Sequence, residues 1–370
     1  MDAKLLPSIT AVEPARWDAL VPGGDPFVRH AFLSLLETSG AATTRTGWQP
    51  IHLLVEDEGR PVAAAAMYAK GHSWGEYVFD HAWAEAYERA GGRYYPKLQV
   101  AVPFTPVPGP RLLSNGAGDR AGAGLIAALA ATAEQTGVSS LHVTFCTADE
   151  AERLARAGFL VRRGIQFHWA NPGYRDFQDF LDNLKSSRRK TIRIEAAERE
   201  AVRACGIEIE VQHGATLDPA ALRAFHPLYR ATADKRWGSA YLTRAFFEGL
   251  AGMAERVVLV LAHRNGKLVA GALNLLGEGV LYGRNWGVVE EHPFLHFECC
   301  YYAAIEWAIA HGIARVEAGA QGTHKLHRGY APVWTWSAHL LRDSGFREAV
   351  ARFLHHEQRR HERPARGHAA

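Results

Sequence analysis

The stretch from Val280 to Leu340 constrains the fold of this chain more than any other part of the sequence. Its apolar and aromatic run at Val280–Trp286 predicts a β-strand, and the spacing of apolar residues over Pro293–His311 predicts a long amphipathic helix. A second short strand is predicted at Ile313–Ala318, followed by a loop rich in Gln, His, Lys and Arg at Gln321–Arg328. This order of elements is typical of an α/β domain.

Two carboxylates lie on these otherwise apolar elements. Glu298 lies on the predicted helix among aromatic residues, and Glu317 lies on the strand that follows. Burying a carboxylate is costly unless it has a partner or a chemical role. Each is therefore a candidate catalytic base or orienting group. The alternatives are a core carboxylate paired with Arg or His for Glu298, and an ion pair at a sheet edge for Glu317.

The loop after the second strand carries a dense group of polar side chains. His324 is a candidate for proton transfer, and Gln321, Lys325 and Arg328 are candidates for holding phosphate or carboxylate groups. His324 and His327 lack a third obvious ligand nearby, so no metal site is predicted. The alternative is a solvated loop.

Candidate substrate-binding residues also lie outside this loop. Arg284 and Trp286 lie on the predicted strand at Val280–Trp286, where an arginine within an apolar strand favours a site. Lys235 and Trp237 follow a predicted helix, and Trp237 is a candidate wall of an acceptor pocket. For the two tryptophans the alternative is a place in the core.

The basic run Lys185–Arg193 is the clearest concentration of positive charge. Its arginines, including Arg188 and Arg189, are candidate contacts for tRNA or another anionic acceptor, with a solvated helix surface as the alternative. The net charge of +3 is too small for 370 residues to indicate nucleic-acid binding by itself.

The chain is long enough for two domains, and its predicted elements follow the same order in each half. Two copies of one α/β domain explain this repeat, the alternative being coincidence of a common order. We predict a first domain at 1–170, a basic helical connector at 171–206, a second domain at 207–345, and a C-terminal helix with a basic tail at 346–370.

The four cysteines and the N-terminal sequence indicate the compartment. No pair is spaced C-x-x-C, so neither a disulfide framework nor a structural zinc site is expected. The first residues lack a signal-peptide pattern, and no apolar run is long enough to span a membrane. A cytoplasmic protein is therefore expected.

Several longer segments resemble the FemAB-like family of N-acyltransferases, which is related to the Fem-type aminoacyltransferases of the GNAT superfamily. They are GEYVFDHAWAEAY (Gly75–Tyr87), YYPKLQVAVPFTPVPGPRLL (Tyr94–Leu113), GIQFHW (Gly164–Trp169), LYGRNWG (Leu281–Gly287), LHFECCYY (Leu295–Tyr302) and VEAGAQGTHKLHRGYAPVWTWSAH (Val316–His339). The resemblance covers nearly the whole chain. It implies an α/β (α+β) fold with two GNAT-like domains, each a mixed, mainly antiparallel sheet flanked by helices.

The resemblance also implies an activity. It is the transfer of an activated acyl or aminoacyl group to a primary amine, on a peptidoglycan-type or other small precursor. No tightly bound cofactor is implied, and the co-substrate would be aminoacyl-tRNA or acyl-CoA. A conventional acyl-CoA-dependent N-acetyltransferase and a non-catalytic protein that recognises cell-wall fragments are the alternatives. The oligomeric state is left open.

The glycine-rich stretch Gly109–Gly124 is predicted to be a loop between a strand and a helix. In GNAT proteins the corresponding loop binds pyrophosphate through backbone amides at a helix N-terminus. By resemblance this stretch is a candidate cradle for a CoA-type donor, with a structural loop as the alternative.

Overall fold

The computed structural model describes residues 1–114, 119–184, 189–237, 239–319 and 323–365. Within these ranges, only the backbone is described for residues 119, 189–195, 236, 237, 323, 324 and 360–365.

The strands, in chain order, are β1 (Asp2–Leu6), β2 (Trp48–Pro50), β3 (His52–Asp57), β4 (Arg60–Ala65), β5 (Met67–Lys70), β6 (Lys97–Val100), β7 (Leu113–Ser114), β8 (Ser140–Cys146), β9 (Leu160–Ala170), β10 (Ile207–His213), β11 (Val257–Arg264), β12 (Lys267–Leu276), β13 (Val280–Val288), β14 (Arg315–Glu317) and β15 (Ala331–Leu341). The helices are α1 (Pro14–Asp18), α2 (His30–Thr38), α3 (His81–Arg89), α4 (Asp119–Thr136), α5 (Ala148–Arg156), α6 (Phe177–Asn183), α7 (Arg189–Ala204), α8 (Pro219–Trp237), α9 (Arg244–Gly249), α10 (Leu295–Phe297), α11 (Ala303–Ala310) and α12 (Ser344–Ala365).

The chain divides into two compact units. Unit 1 consists of Met1–Gly164 and Trp334–Ala370, and unit 2 consists of Ile165–Val333. The predicted connector, 171–206, thus falls within unit 2, and the predicted C-terminal segment, 346–370, groups with unit 1.

Unit 1 contains two sheets. One has the order β1–β3–β4–β7 and is antiparallel throughout. The other has the order β15–β8–β6–β5–β2, and its one parallel pair is β6 with β8. The apolar face of this second sheet, which includes Met67, Leu98 and Val143, packs with apolar residues of α4 and α5. Its opposite face carries polar residues and is described below.

Unit 2 contains one sheet of order β10–β11–β12–β13–β14–β9. Only β13 and β14 run parallel, and the other neighbours are antiparallel. The strands β11 and β12 form the predicted hairpin, which turns at Asn265 and Gly266, both with positive φ. α11 covers the sheet with Ile305, Ala308 and Ile309. Each unit therefore has a mixed, mainly antiparallel sheet flanked by helices, which confirms the predicted α/β (α+β) class.

The predicted loop at Gly109–Gly124 is wrong at its C-terminal end, because α4 already includes Gly122 and Gly124. At Gly122 a Cβ would lie 1.7 Å from the Arg153 Nη2 atom, so a side chain there would displace the end of this arginine. At Gly109 a Cβ would lie 2.2 Å from the Asp25 Oδ2 atom. Both of these glycines thus lie against a side chain of the protein. Gly116 and Gly118 lie outside the described residues.

No helix in the described ranges has the length and apolar character needed to cross a membrane.

Candidate functional site

The edge between β13 and β14 is the first feature of the candidate site. These strands pair in parallel from Val280 opposite Arg315 to Tyr282 opposite Glu317, and in the described part of the chain the pairing ends there. β13 continues to Val288 against β12, with a register shift that inserts Arg284 as an extra residue. Bulges of this kind bend a strand and commonly lie next to active sites. The described ladder between the two strands therefore ends at Glu317, close to the bulge.

Glu317 is buried at this point, with 3% of its surface exposed. Its Oε1 atom accepts a hydrogen bond of 2.9 Å from the Arg315 Nε atom. Its Oε2 atom lies 3.5 Å from the Nε2 atom of His168, which is directly opposite on β9. Burial, together with the charges of Arg315 and Lys325, lowers the pKa of His168 to about 4. At neutral pH the site therefore places a neutral imidazole beside the Glu317 carboxyl group.

Lys325 lies near the same strand end. It is 2% exposed, and its Nζ atom donates to the backbone oxygens of Ala318 at 2.5 Å and Gly319 at 3.0 Å. Burial lowers the pKa of Lys325 to about 8. A side chain with a pKa near the ambient pH can both give and accept a proton, which suits general acid–base chemistry.

Glu298 lies in a different environment, within one turn of π-helix at Glu298–Tyr302 between α10 and α11. Its two carboxylate oxygens accept hydrogen bonds of 3.0 Å from the Nε and Nη2 atoms of Arg199 on α7. Burial raises the pKa of Glu298, and Arg199 opposes that rise. The structure thus shows the alternative interpretation, a carboxylate paired with an arginine. Because Arg199 engages both of its oxygens, Glu298 is a less suitable base than Glu317.

Arg328 has several partners within the protein. Its Nη2 atom donates to Glu198 Oε1 at 2.8 Å and Oε2 at 2.7 Å, and its Nε atom donates to the Tyr302 hydroxyl at 2.9 Å. The guanidinium also lies 3.7 Å from the centre of the Phe297 ring. Its role in holding a substrate anion stays a prediction. Arg328 fixes the end of the 3₁₀ segment Thr323–Arg328, which carries Lys325.

Replacing Arg199 by Met is expected to lower the free energy of unfolding by about 1–3 kcal/mol, because the buried Glu298 carboxylate loses both hydrogen bonds. Urea titration of the two proteins measures the difference. Arg203→Met is the matched control, since Arg203 lies on the same helix with its side chain 65% exposed. An Arg199→Met protein as stable as the Arg203→Met protein would contradict the structural role of the pair.

The remaining predicted residues are not brought to the Glu317 site by any contact described here. Trp286 contacts His296 edge-to-face at 5.3 Å, and Lys235 forms an exposed ion pair of 2.5 Å with Glu291. Arg284 is the bulge residue of β13. The predictions for Arg188 and Gln321 lie outside the described residues, and the side chains of Arg189, Trp237 and His324 are not among those described.

Sequence reasoning assigned no role to His168, Arg315, Glu198 or Arg199. Arg315 was detectable, because residues two apart on a strand lie on the same face and an Arg-x-Glu pattern there favours an ion pair. His168 lies in the GIQFHW segment, which carried the resemblance without an assigned role. The sequence did not indicate that Arg199 pairs with Glu298 or that Glu198 pairs with Arg328. These contacts join residues about a hundred or more positions apart in the chain.

A second concentration of buried charge lies in unit 1. Lys70 on β5 and Lys97 on β6 are directly opposite each other, and neither side chain has exposed surface. Lys97 donates to Glu76 Oε2 at 2.7 Å and to Ser73 Oγ at 2.8 Å, and it also donates to Asp80. Lys70 Nζ lies 3.9 Å from Glu76 Oε1. We call these four charged residues the Lys70–Lys97 cluster.

Burial sets the protonation of two members of this cluster. It raises the pKa of Glu76 to about 7, against the opposing charge of Lys97. It lowers the pKa of Lys70 to about 7, against the opposing charge of Glu76. Both groups therefore titrate near neutral pH, which is unusual for either residue type.

The pH dependence of stability provides a test of the Glu76 environment. A carboxyl group whose pKa is raised from 4.5 to about 7 stabilises the fold fully below pH 4.5 and loses this contribution as the pH rises to 7. We expect the stability of the natural protein relative to Glu76→Gln to fall by about 3 kcal/mol over that interval. Four other titratable groups lie near Glu76, namely Lys70, Lys97, Asp80 and His72. The Glu76 charge raises the pKa of Lys70, so Lys70 loses its charge more readily in the variant. This makes the stability difference between the two proteins change with pH in the same direction.

Urea titrations at several pH values between 4.5 and 7 measure this dependence for Glu76→Gln, with Glu152→Gln, at an exposed position, as the control. A stability difference between the natural protein and Glu76→Gln that does not change with pH would show that Glu76 is not protonated in this way.

Comparison with known proteins gives the family. The model of the FemAB_like family, described as peptidoglycan biosynthesis/recognition, matches residues 8–368. No curated protein matches in sequence.

Solved structures share the fold at low sequence identity. The structure of FemX is 11% identical, with a TM-score of 0.56 over 95% of this chain and 100% of FemX. A C-terminal domain from Agrobacterium fabrum, described as part of a putative lysylphosphatidylglycerol synthetase, is 9% identical, with a TM-score of 0.57 over 91% of this chain and 94% of that domain. L-PGS from Bacillus licheniformis is 11% identical, with a TM-score of 0.53 over 90% of this chain and 98% of L-PGS.

The two units match the fold of these proteins, and the family model spans nearly every residue that builds them. The chain therefore belongs to the FemAB_like family.

Proposed function

We propose that this chain is an N-acyltransferase that transfers an activated acyl or aminoacyl group to a primary amine and forms an amide, on a peptidoglycan-type or other small precursor. The observation that carries this proposal is the buried Glu317 beside His168, at the end of the described pairing of β13 with β14. Family membership supports acyl or aminoacyl transfer as the class of chemistry.

The bulge in β13 is the feature that we expect to position an extended donor. Past Tyr282, β13 continues against β12, and the bulge at Arg284 interrupts the regular ladder between these two strands. An extended acyl arm would lie along this side of the sheet as an added strand does. Backbone N–H groups near the reacting carbonyl would also stabilise the oxyanion.

The reaction needs one proton acceptor and one proton donor. The acceptor enters as an ammonium ion, gives a proton to Glu317, and attacks the donor carbonyl carbon with its nitrogen lone pair. The C–N bond forms, and the C–S bond of a thioester or the C–O bond of an aminoacyl ester breaks. Lys325 gives a proton to the leaving sulfur or oxygen and then takes up the second proton that the attacking nitrogen loses as the amide forms. Glu317 releases its proton to solvent. His168 and Arg315 act as positioning residues for Glu317.

The donor is aminoacyl-tRNA or acyl-CoA. The fold shared with FemX favours the aminoacyl route as the first to test, and the basic run at Lys185–Arg193 would then contact tRNA. Gly109 and Gly122 each lie against a side chain of the protein, so these two glycines do not by themselves support the predicted CoA cradle.

The test is a titration of the protein with aminoacylated tRNA and, separately, with acetyl-CoA at about 150 mM salt, which screens weak nonspecific attraction. Mass spectrometry of added amine acceptors then detects amide products. Saturable tRNA binding with amide formation supports the aminoacyl route, and saturable acetyl-CoA binding with acetyl transfer supports the conventional acyltransferase. Binding of cell-wall fragments without turnover on either donor would overturn the proposal in favour of a recognition protein.

A further inference from the structure

The sheet of unit 1 has one face that is polar and yet buried. Side chains on this face are at most 5% exposed, and they come from Tyr68, Lys70, Lys97, Gln99, Ser140, His142, Thr144, Ser337 and His339. Burying polar and charged groups costs free energy that apolar packing at the same positions would not. Stability alone therefore does not explain this composition.

Within this face the two lysines differ in how many strong hydrogen bonds their ammonium groups donate. Lys97 has three donor hydrogens and three acceptors, which are Ser73, Glu76 and Asp80. Its side chain is completely paired, and its pKa is raised because Glu76 and Asp80 outweigh the effect of burial. The Lys97 side chain is therefore held in place by its hydrogen bonds and stays positively charged.

Lys70 and the carboxylates beside it are less completely paired. Lys70 Nζ donates to the Trp74 carbonyl oxygen at 3.1 Å, and its other near contacts are weak, namely His72 Nδ1 at 3.5 Å and the Trp48 ring at 3.6 Å. Its distance of 3.9 Å to Glu76 Oε1 is too long for a hydrogen bond. Glu76 Oε1 and Asp80 Oδ1 are buried and accept no hydrogen bond from any residue that the structure describes. The Lys70 ammonium group thus has N–H groups without a strong acceptor, and it lies beside carboxylate oxygens that could each accept a further hydrogen bond.

The segment 71–80 covers this group. It joins β5 to α3 and places Glu76 and Asp80 inward, while Trp74 and Phe79 are 57% and 62% exposed. Tyr77 has a φ of +60°, a conformation that is strained for a bulky side chain. Strained backbone of this kind concentrates at ligand clamps and switch regions. Because Lys70 has no exposed surface, a ligand reaches it only when this segment opens.

We propose that the Lys70–Lys97 cluster is a binding site for a small zwitterion of the α-amino acid class. The ligand carboxylate would accept hydrogen bonds from Lys70, and the ligand ammonium would donate to Glu76 Oε1 and Asp80 Oδ1. Two lysines and two carboxylates already balance, so a ligand with net charge would leave a buried charge uncompensated, whereas a zwitterion preserves the balance. Its two charges are also close together, as the 3.9 Å between Lys70 Nζ and Glu76 Oε1 requires.

The aromatic residues of segment 71–80 add a surface for the ligand's side chain. Trp74 and Phe79 both contact His81, at 5.5 Å and 6.0 Å between ring centres. This inference concerns unit 1 and is tested by binding, so it does not depend on the proposed transferase activity.

The experiment is calorimetric titration of the full-length protein with glycine, alanine, serine and lysine. Alaninamide lacks the carboxylate, N-acetylalanine lacks the ammonium, and the dipeptide Ala-Ala separates the two charges. We expect at least one free amino acid to bind saturably, and alaninamide and N-acetylalanine to bind at least tenfold more weakly. Preferential binding of Ala-Ala would overturn the amino-acid assignment in favour of a peptide ligand.

Variants of the cluster complete the test. Lys70→Met and Glu76→Gln are each expected to weaken binding at least tenfold, while Lys4→Met, at a surface position in the same unit, leaves it unchanged. Near-UV circular dichroism checks folding, and Glu76→Gln keeps the test valid if Lys70→Met does not fold. The absence of saturable binding up to about 10 mM of any amino acid, or equal binding by the single-charge analogues, would overturn the proposal.

Discussion

Replacing Glu317 by Gln is expected to lower the rate of amide formation by about 10²–10⁴-fold, the usual contribution of a general base. The change removes the ability to take up a proton and preserves the shape of the side chain. The amide oxygen of the substituted side chain would still accept a hydrogen bond from Arg315, so the strand end should keep its geometry. The loss should therefore appear in kcat, with little change in the affinity for the donor.

The reason for choosing Glu317 over Glu298 lies in their partners. Arg199 donates to both oxygens of Glu298, and its charge and hydrogen bonds stabilise the ionised carboxylate and so oppose the uptake of a proton. Glu317 has Arg315 on Oε1 and a neutral His168 at 3.5 Å from Oε2. It also lies where the described pairing of β13 with β14 ends.

Steady-state kinetics with saturating donor measure the effect, with Glu278→Gln as the control because Glu278 is exposed in the same unit. Glu298→Gln is the informative comparison. A Glu317→Gln enzyme within about threefold of the natural rate, beside a Glu298→Gln enzyme that has lost activity, would assign the base to Glu298 instead.

The order of elements could be predicted from sequence because each element carries its own local signal. The alternation Ile-Glu-Ile-Glu-Val-Gln at Ile207–Gln212 predicts β10, and the Arg264–Gly266 turn predicts the hairpin of β11 and β12. The start of α4 was misplaced, because glycines normally weaken a helix and the packing of Arg153 against Gly122 is a tertiary contact.

The candidate site could be predicted only in part, for a similar reason. Glu317 and Lys325 lie near the same strand end because they are close in the chain, so proximity in sequence sufficed. The ion pairs of Arg199 with Glu298 and of Arg328 with Glu198 join distant segments. Sequence could show that these charged residues needed partners, but it could not show which partners they have.

The strands that form the polar face in unit 1 have a sequence pattern that wrongly suggests exposure of this face to water. Strands such as Lys-Leu-Gln-Val at Lys97–Val100 alternate polar and apolar residues, as a sheet does when one face is exposed to water. The segment 71–80 instead covers that face and supplies Glu76 and Asp80. Burial of the lysines is thus a property of the tertiary structure, and the motifs Gly75–Tyr87 and Tyr94–Leu113 marked the region without revealing its chemistry.

Replacing Lys97 by Met should reveal how strongly this cluster depends on its central ion. We expect the free energy of unfolding to fall by about 3–5 kcal/mol, the typical cost of removing one partner of a buried ion pair. Lys97 is the donor to Glu76 and Asp80, which are 4% and 3% exposed. Burial favours the protonated form of Asp80, but Lys97 and His142 hold the pKa of Asp80 well below its usual range, and the variant loses the larger of these charges.

Urea titration monitored by tryptophan fluorescence measures the loss. Lys4→Met is the matched control, because the Lys4 side chain is 57% exposed and its partner Glu56 keeps a second ion pair with Arg16, so we expect a loss of at most about 1 kcal/mol. The deficit of Lys97→Met should shrink at low pH, since protonation removes the uncompensated charges of the two carboxylates. It should also shrink when Glu76→Gln is added, because the two sites share one interaction. A deficit equal to that of Lys4→Met, or independent of pH, would mean that the cluster does not hold its charges in the arrangement described here.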